Sequence, residues 1–184
     1  AEFFSHHGLT DPQDLQALRE RTSGYTGMVP RVPARYRRLR DNMPLNVNGN
    51  IWQCIAGYGH APEHMALFGA AAEVLIAGDM VLPRITTNVS VFEFEPEDDP
   101  LTLYLSSIQR FKDLPADTLV LPSHGKPFRG LHARIAQLVQ HHDERFEIAL
   151  QACGKRPCTA ADLLPALFQR DLDLHQTTFA LGEA

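Results

Sequence analysis

The sequence predicts an α/β fold over residues 1–152 and a small helical appendage over residues 153–184. Three observations predict it. Short apolar runs bounded by Gly, Asn and Pro read as strands between residues 45 and 121. Interleaved with them are two longer segments whose apolar residues recur every three or four positions, the spacing of amphipathic helices. After Gly154-Lys155-Arg156-Pro157 only helical signals remain. Strands and helices mixed in this way make an α/β or α+β domain.

Each element has a local cause. Asp11 before Pro12 is an N-cap with proline in the first turn, and Leu15 and Leu18 share the face behind it, so a helix is predicted over about 12–22. Gly24 to Arg40 is rich in Pro and Arg and reads as a connecting loop with a local basic patch. Leu45 and Val47, then Asn48-Gly49, then Ile51 to Ile55 read as a hairpin with a two-residue primed turn. Further strands are predicted at Met65 to Phe68, Glu73 to Ala77 and Thr118 to Leu121, with a β-rich run at Asn88 to Phe94. Asp99-Pro100 starts a helix with Leu101, Tyr104, Leu105, Ile108 and Phe111 on its apolar face. Leu131, Ile135, Leu138, Val139 and Phe146 mark a long helix over about 130–151. In the appendage, Thr159 with Asp162 resembles a capping box, Pro165 is expected to kink or split the helix that follows, and a last helix is predicted over about 173–183.

Composition sets the outer bounds. With 184 residues, 44% hydrophobic and 21% charged, the chain is neither a disordered nor a fibrous sequence. A chain of this length hides roughly 70% of its extended surface on folding, enough for a true core. Lys plus Arg number 17 against 22 Asp plus Glu, a net charge of −5, so no overall attraction to nucleic acid or anionic membrane follows. No apolar run approaches the ~18 residues of a transmembrane helix, so no membrane partner is expected. Cys54, Cys153 and Cys158 cannot all pair within one chain, and sparse, odd cysteine favours a reducing, cytoplasmic setting. No second cysteine pair joins Cys153 and Cys158 to complete a zinc ribbon.

Three segments end an apolar strand with a side chain able to bind metal: Gly57-Tyr58-Gly59-His60-Ala61-Pro62-Glu63-His64, Val74-Leu75-Ile76-Ala77-Gly78-Asp79, and Leu119-Val120-Leu121-Pro122-Ser123-His124-Gly125. Imidazole nitrogen and carboxylate oxygen suit zinc and related divalent ions. Glycine beside each would let backbone come close without a side-chain clash. Taken singly, each has a plainer meaning: a His at a strand end is more often a surface residue, and Asp after Gly is ordinary turn chemistry. Together and in this order they are far more specific.

In these segments the chain resembles the metallo-β-lactamase-fold hydrolase superfamily, and within it the branch with a short helical (winged-helix-like) C-terminal domain that contains β-lactamase-like protein 2. Residues 57–64, 73–92 and 118–134 carry most of the likeness, with Leu163 to Phe168 and Ala180 to Ala184 in the tail. The resemblance implies an αββα sandwich and a two-zinc hydrolase. By similarity His60 would ligate the first metal, Asp79 would bridge both as the catalytic carboxylate, and His124 would ligate the second. Metal-bound hydroxide would attack an ester, thioester, lactam or phosphodiester of a small-molecule substrate. His64 would support the site rather than bind metal. Arg84, Asn88 and Ser90 follow the Asp79 strand, where stabilising the loop is favoured over touching substrate. His132, with Arg129, would anchor the loop after His124.

The likeness has a gap. The family's His-x-His-x-Asp-His signature is absent, and His6-His7-Gly8 does not supply its spacing. The simplest account is a chain truncated at both ends, lacking the N-terminal strands of the sandwich. Each metal would then keep two protein ligands rather than three, so weak or empty zinc sites and an inactive chain are expected. An exposed sheet edge would favour self-association into a homo-oligomer. Two other readings stand beside the hydrolase: a catalytically silent structural or interaction module, and an RNA-processing relative using the Arg31–Arg40 loop. Nucleic acid is not favoured, because acidic residues outnumber basic ones. Ser123 lacks a nucleophile-elbow setting, and His141-His142 is expected on a solvated helix face.

Overall fold

A computed structural model describes residues 1–20, 29 and 31–184. The described residues form two compact units: residues 1–38 with 148–182 and 184, and residues 39–147 with Glu183. The sequence divides the chain at 152/153, whereas the second unit ends at Glu147, inside a long helix, and residues 1–38 group with the tail.

The larger unit is built on a five-stranded sheet in the order β1-β2-β3-β4-β5: Pro44–Val47, Asn50–Gly57, His64–Gly69, Val74–Gly78 and Leu119–Pro122. The first four strands form an antiparallel meander, and β5 joins β4 in parallel after a long crossover. The β1–β2 turn is made by Asn48 and Gly49 at φ 51° and 85°, the left-handed pair that a primed hairpin turn requires.

Two helices supply the core. α3 (Pro100–Gln109) starts where the Asp99 carboxylate accepts the Thr102 N–H at 3.0 Å, which holds that carboxyl below its ordinary range, and a single 3₁₀ turn (Arg110–Asp113) continues it. α4 (Leu131–Cys153) buries Leu131, Ile135 and Leu138, one stripe at helical spacing. Tyr104, Ile108 and Phe111 meet that stripe over Phe68, Leu75 and Val120 of the sheet, with Met80, Val81 and Val89 closing the core from a loop.

The smaller unit contains α1 (Glu2–His6), α2 (Pro12–Glu20), α5 (Ala160–Leu167) and α6 (Leu174–Glu183, except Glu183). The Ala161 N–H donates to the His7 carbonyl at 3.0 Å. α5 opens on the expected capping box of Thr159 and Asp162, and α6 on one made by Asp173 and Gln176.

Three local expectations differ from the structure, and one short helix had no signal in the sequence. Asn88 to Phe94 is a loop with one isolated Phe92–Glu95 bridge, because its backbone polar groups and side chains serve the neighbouring site instead of a ladder. Pro165 does not split α5; it lies in the last turn, where little helix remains to be broken. His141 and His142 are half-buried rather than solvated. α1 has no buried residue and no side-chain cap, so the sequence carried no signal for it. The helix predicted over about 12–22 ends at Glu20 among the described residues. Arg21, Thr22, and Gly24 to Pro30 of the loop apart from Val29 lie outside them; Arg31 to Arg40 has no regular structure.

Candidate functional site

β2, β4 and β5 all finish at the same end of the sheet, and β3, running the other way, begins there. That topology puts His60 in the β2–β3 loop, His64 at the first position of β3, Asp79 directly after β4 and His124 just after β5 at one edge. The Asp79 carboxylate lies at the centre. Its Oδ2 is 3.7 Å from His60 Nε2, and its Oδ1 is 3.5 Å from His124 Nε2. His60 and Asp79 are half-buried, while the His124 side chain is 68% exposed, so the cluster opens to solvent on the His124 side.

The orientation of each group has a cause. His60 Nδ1 is 2.7 Å from the Asn88 carbonyl, which can only accept, so Nδ1 carries a proton and Nε2 is the ring nitrogen that faces Asp79. His64 Nε2 accepts from the Asp79 backbone N–H at 3.4 Å. Burial, and then the His60 ring, holds the His64 imidazole below its ordinary pKa against the pull of Asp79, which keeps it a neutral acceptor. Gly78 has φ 55°, and a Cβ there would collide with the His64 ring. The Thr87 hydroxyl donates to the Asp79 carbonyl, and the Tyr104 hydroxyl to the Met80 carbonyl at 3.1 Å. Arg134 donates to the carbonyls of Leu82 at 2.7 Å and Ile85 at 2.9 Å. An irregular segment is thus fixed from three sides.

Of the site residues predicted from sequence, four converge: His60, His64, Asp79 and His124. Asn88 touches the cluster through its backbone carbonyl, and its side-chain oxygen accepts from Ser90 at 3.1 Å. Arg84 is exposed on the wall of a cavity of about 540 Å³ that also includes His124 and Lys126. On the other flank a cavity of about 370 Å³ lies between His60 and the stacked, exposed rings of Phe92 and Phe94. His132 stands apart from the cluster: its Nε2 is 2.9 Å from the Leu114 carbonyl, and Arg129 donates to the Asp117 carbonyl, so the pair ties residues 129–132 to the segment before β5. Thr87, Tyr104 and Arg134 were missed. The signals were an aromatic hydroxyl within an apolar stripe, and an arginine between the core positions Leu131 and Ile135, both of which need partners.

Two imidazoles and a carboxylate match, in kind and number, the donors of one divalent ion with an open position. They do not match two ions, each of which would keep two protein donors. The separations are those of side chains in contact, not of a formed coordination shell: among the described residues no group of three or more His, Cys, Asp or Glu side chains is already arranged to hold a metal ion, so binding one requires these side chains to turn toward it.

Known proteins share this arrangement of sequence. Over 98% of its length the chain is 56% identical to a beta-lactamase domain protein from Burkholderia ambifaria, with a TM-score of 0.93, and covers 52% of that chain. It is 30% identical to a metallo-beta-lactamase family protein from Thermus thermophilus, with a TM-score of 0.74, over 99% of this chain and 56% of that one. "Probable metallo-hydrolase YqjP" of Bacillus subtilis is 28% identical over 131 residues, which are 67% of this chain and 40% of that protein. The chain therefore spans about half the length of these relatives or less. Residues 146–184 match the family described as "Metallo-beta-lactamase-like, C-terminal domain". Residues 12–124, more than half of the chain and every converging side chain above, match the description "Metallo-beta-lactamase superfamily", and to that superfamily the chain belongs.

Proposed function

We propose that this chain supplies part of the catalytic centre of a metal-dependent hydrolase, with His60, Asp79 and His124 as donors to one divalent ion, zinc by preference of the donor set. The observation that supports it is the convergence of two imidazoles on the Asp79 carboxylate from three separate strand ends. A bound divalent ion supplies Lewis acidity toward a carbonyl or phosphoryl oxygen and makes water more acidic. The chain's residues do the positioning. His60 presents Nε2 because Nδ1–H is committed to Asn88. Asp79 directs one oxygen toward each imidazole while its own N–H and carbonyl are held by His64 and Thr87. The two flanking cavities give room on either side for a small ester, thioester, lactam or phosphodiester. Three donors at such separations hold an ion weakly, so low activity is expected of this chain by itself.

Zinc titration by calorimetry, after dialysis against a chelator, tests the proposal. Wild-type protein should take up one equivalent, and Asp79→Ala and His124→Ala should each weaken binding at least tenfold. Equal, featureless titrations for all three proteins would remove the metal reading and leave the catalytically silent interaction module.

A further inference from the structure

The segment from Asp79 to Asn88 has no regular secondary structure, yet its two ends are joined by the site itself. At its start stands Asp79. At its end, the Thr87 hydroxyl donates back to the Asp79 carbonyl, and the next residue's carbonyl receives the His60 Nδ1–H at 2.7 Å. Two adjacent residues therefore hold two different donors of the site. Thr87 is 1% exposed, so water is not at hand to replace its hydroxyl. The remaining links within the cluster are longer: 3.4 Å from Asp79 N–H to His64, and 3.5 and 3.7 Å between the carboxylate and the two imidazoles.

We propose that Thr87 is a positioning residue: through its hydroxyl and the Asn88 peptide that follows, it sets Asp79 and His60 in register with one another. The covalent link makes the coupling. If the hydroxyl releases the Asp79 carbonyl, residue 87 shifts, the Asn88 carbonyl shifts with it, and His60 loses the acceptor that fixes its tautomer. The Asn88 side chain is anchored separately, donating to the Glu183 carboxylate at 3.0 Å and accepting from Ser90 at 3.1 Å, so the hydroxyl's own contribution is read at Thr87 and not at residue 88. The inference rests on the proposed metal centre for its consequence, but its geometry is a property of the metal-free chain.

The test uses Thr87→Val and Thr87→Ser in the full chain. Nitrogen-15 NMR of the metal-free proteins, above the pH range in which imidazole titrates, reads the His60 tautomer. Zinc titration reads the donor set. Wild type and Thr87→Ser should both show His60 protonated on Nδ1, and Thr87→Val should show a mixture of tautomers. Zinc affinity should fall 10–100-fold in Thr87→Val, the usual cost of losing an outer partner of a metal site, and stay within about threefold in Thr87→Ser. If Thr87→Val does not fold, Thr87→Ala, which also removes the hydroxyl and adds no bulk, makes the same comparison. An unchanged His60 tautomer on loss of the hydroxyl overturns the proposal whatever the zinc titration shows. Absence of zinc binding in every protein, wild type included, overturns the hydrolase reading instead and leaves the tautomer to decide this one.

Discussion

At the scale of the residue, Gly78 shows how narrowly the site is built. Its φ of 55° is left-handed, and an added Cβ would strike the His64 ring. Gly49, at φ 85°, has nothing within 4 Å of such a Cβ. Gly49→Ala therefore meets only the backbone penalty of about 1–2 kcal/mol. Gly78→Ala meets that penalty and must also displace His64, which costs roughly 1–3 kcal/mol more. Urea unfolding of the two variants should separate them by that margin; equal losses would mean that His64 moves aside freely. The sequence made the glycines beside His60, Asp79 and His124 legible as places where something comes close, and the fold brings those three side chains to one edge of the sheet. It could not say that at Gly78 the close group is an imidazole rather than an ion. Thr87 was opaque for a related reason: a hydroxyl reaching back eight residues to a carbonyl leaves no periodic trace, and only the folded loop brings the two together.

Elements were legible where their causes are local. Asp99-Pro100, Thr159 with Asp162, and Asn48-Gly49 each act within four residues, and each forms the predicted cap or turn. α4 fails the same reasoning at one point, because burial on a helix depends on what lies opposite. His141 and His142, flanked in sequence by Asp143, Glu144 and Arg145, are half-buried, and His142 packs edge-on against Tyr104 with ring centroids 6.0 Å apart. Burial, with the neighbouring His141 and Arg145 charges, pushes the His142 pKa down to about 4. An unfolded chain binds that proton near pH 6.5, above the folded value, so the unfolded state gains protons first as pH falls. Stability from a neutral His142 is complete above about pH 6.5 and is lost between there and about pH 4. The full shift would correspond to about 3 kcal/mol, but the ring is partly exposed and solvent screening reduces this to on the order of 1–2 kcal/mol. His142→Gln should therefore flatten the fall in unfolding free energy between pH 7 and pH 4.5 by that amount. Identical slopes for wild type and variant would show that His142 is not the group responsible.

At the scale of the whole chain, the order of strands decides which surfaces are left to find partners. β1 and β5 are the edges of the sheet. β5 is partly occupied, because the Val120 N–H and carbonyl are paired with Phe128 at 2.8 and 3.1 Å. β1 has no second neighbour among the described residues, and apolar Val47 and Ile51, 46% and 56% exposed, stand beside its turn. Against this, β1 is only four residues long and begins with Pro44, which cannot donate to an added strand. The balance favours weak pairing through a few hydrogen bonds and a small apolar contact over a tight dimer. Sedimentation velocity across a hundredfold range of concentration should show the average mass rising at the upper end, and Val47→Lys, a charge placed on the edge, should abolish the rise. A single monomer species at every concentration would mean that the short, proline-led strand is protection enough, and that the open edge takes no second copy of this chain.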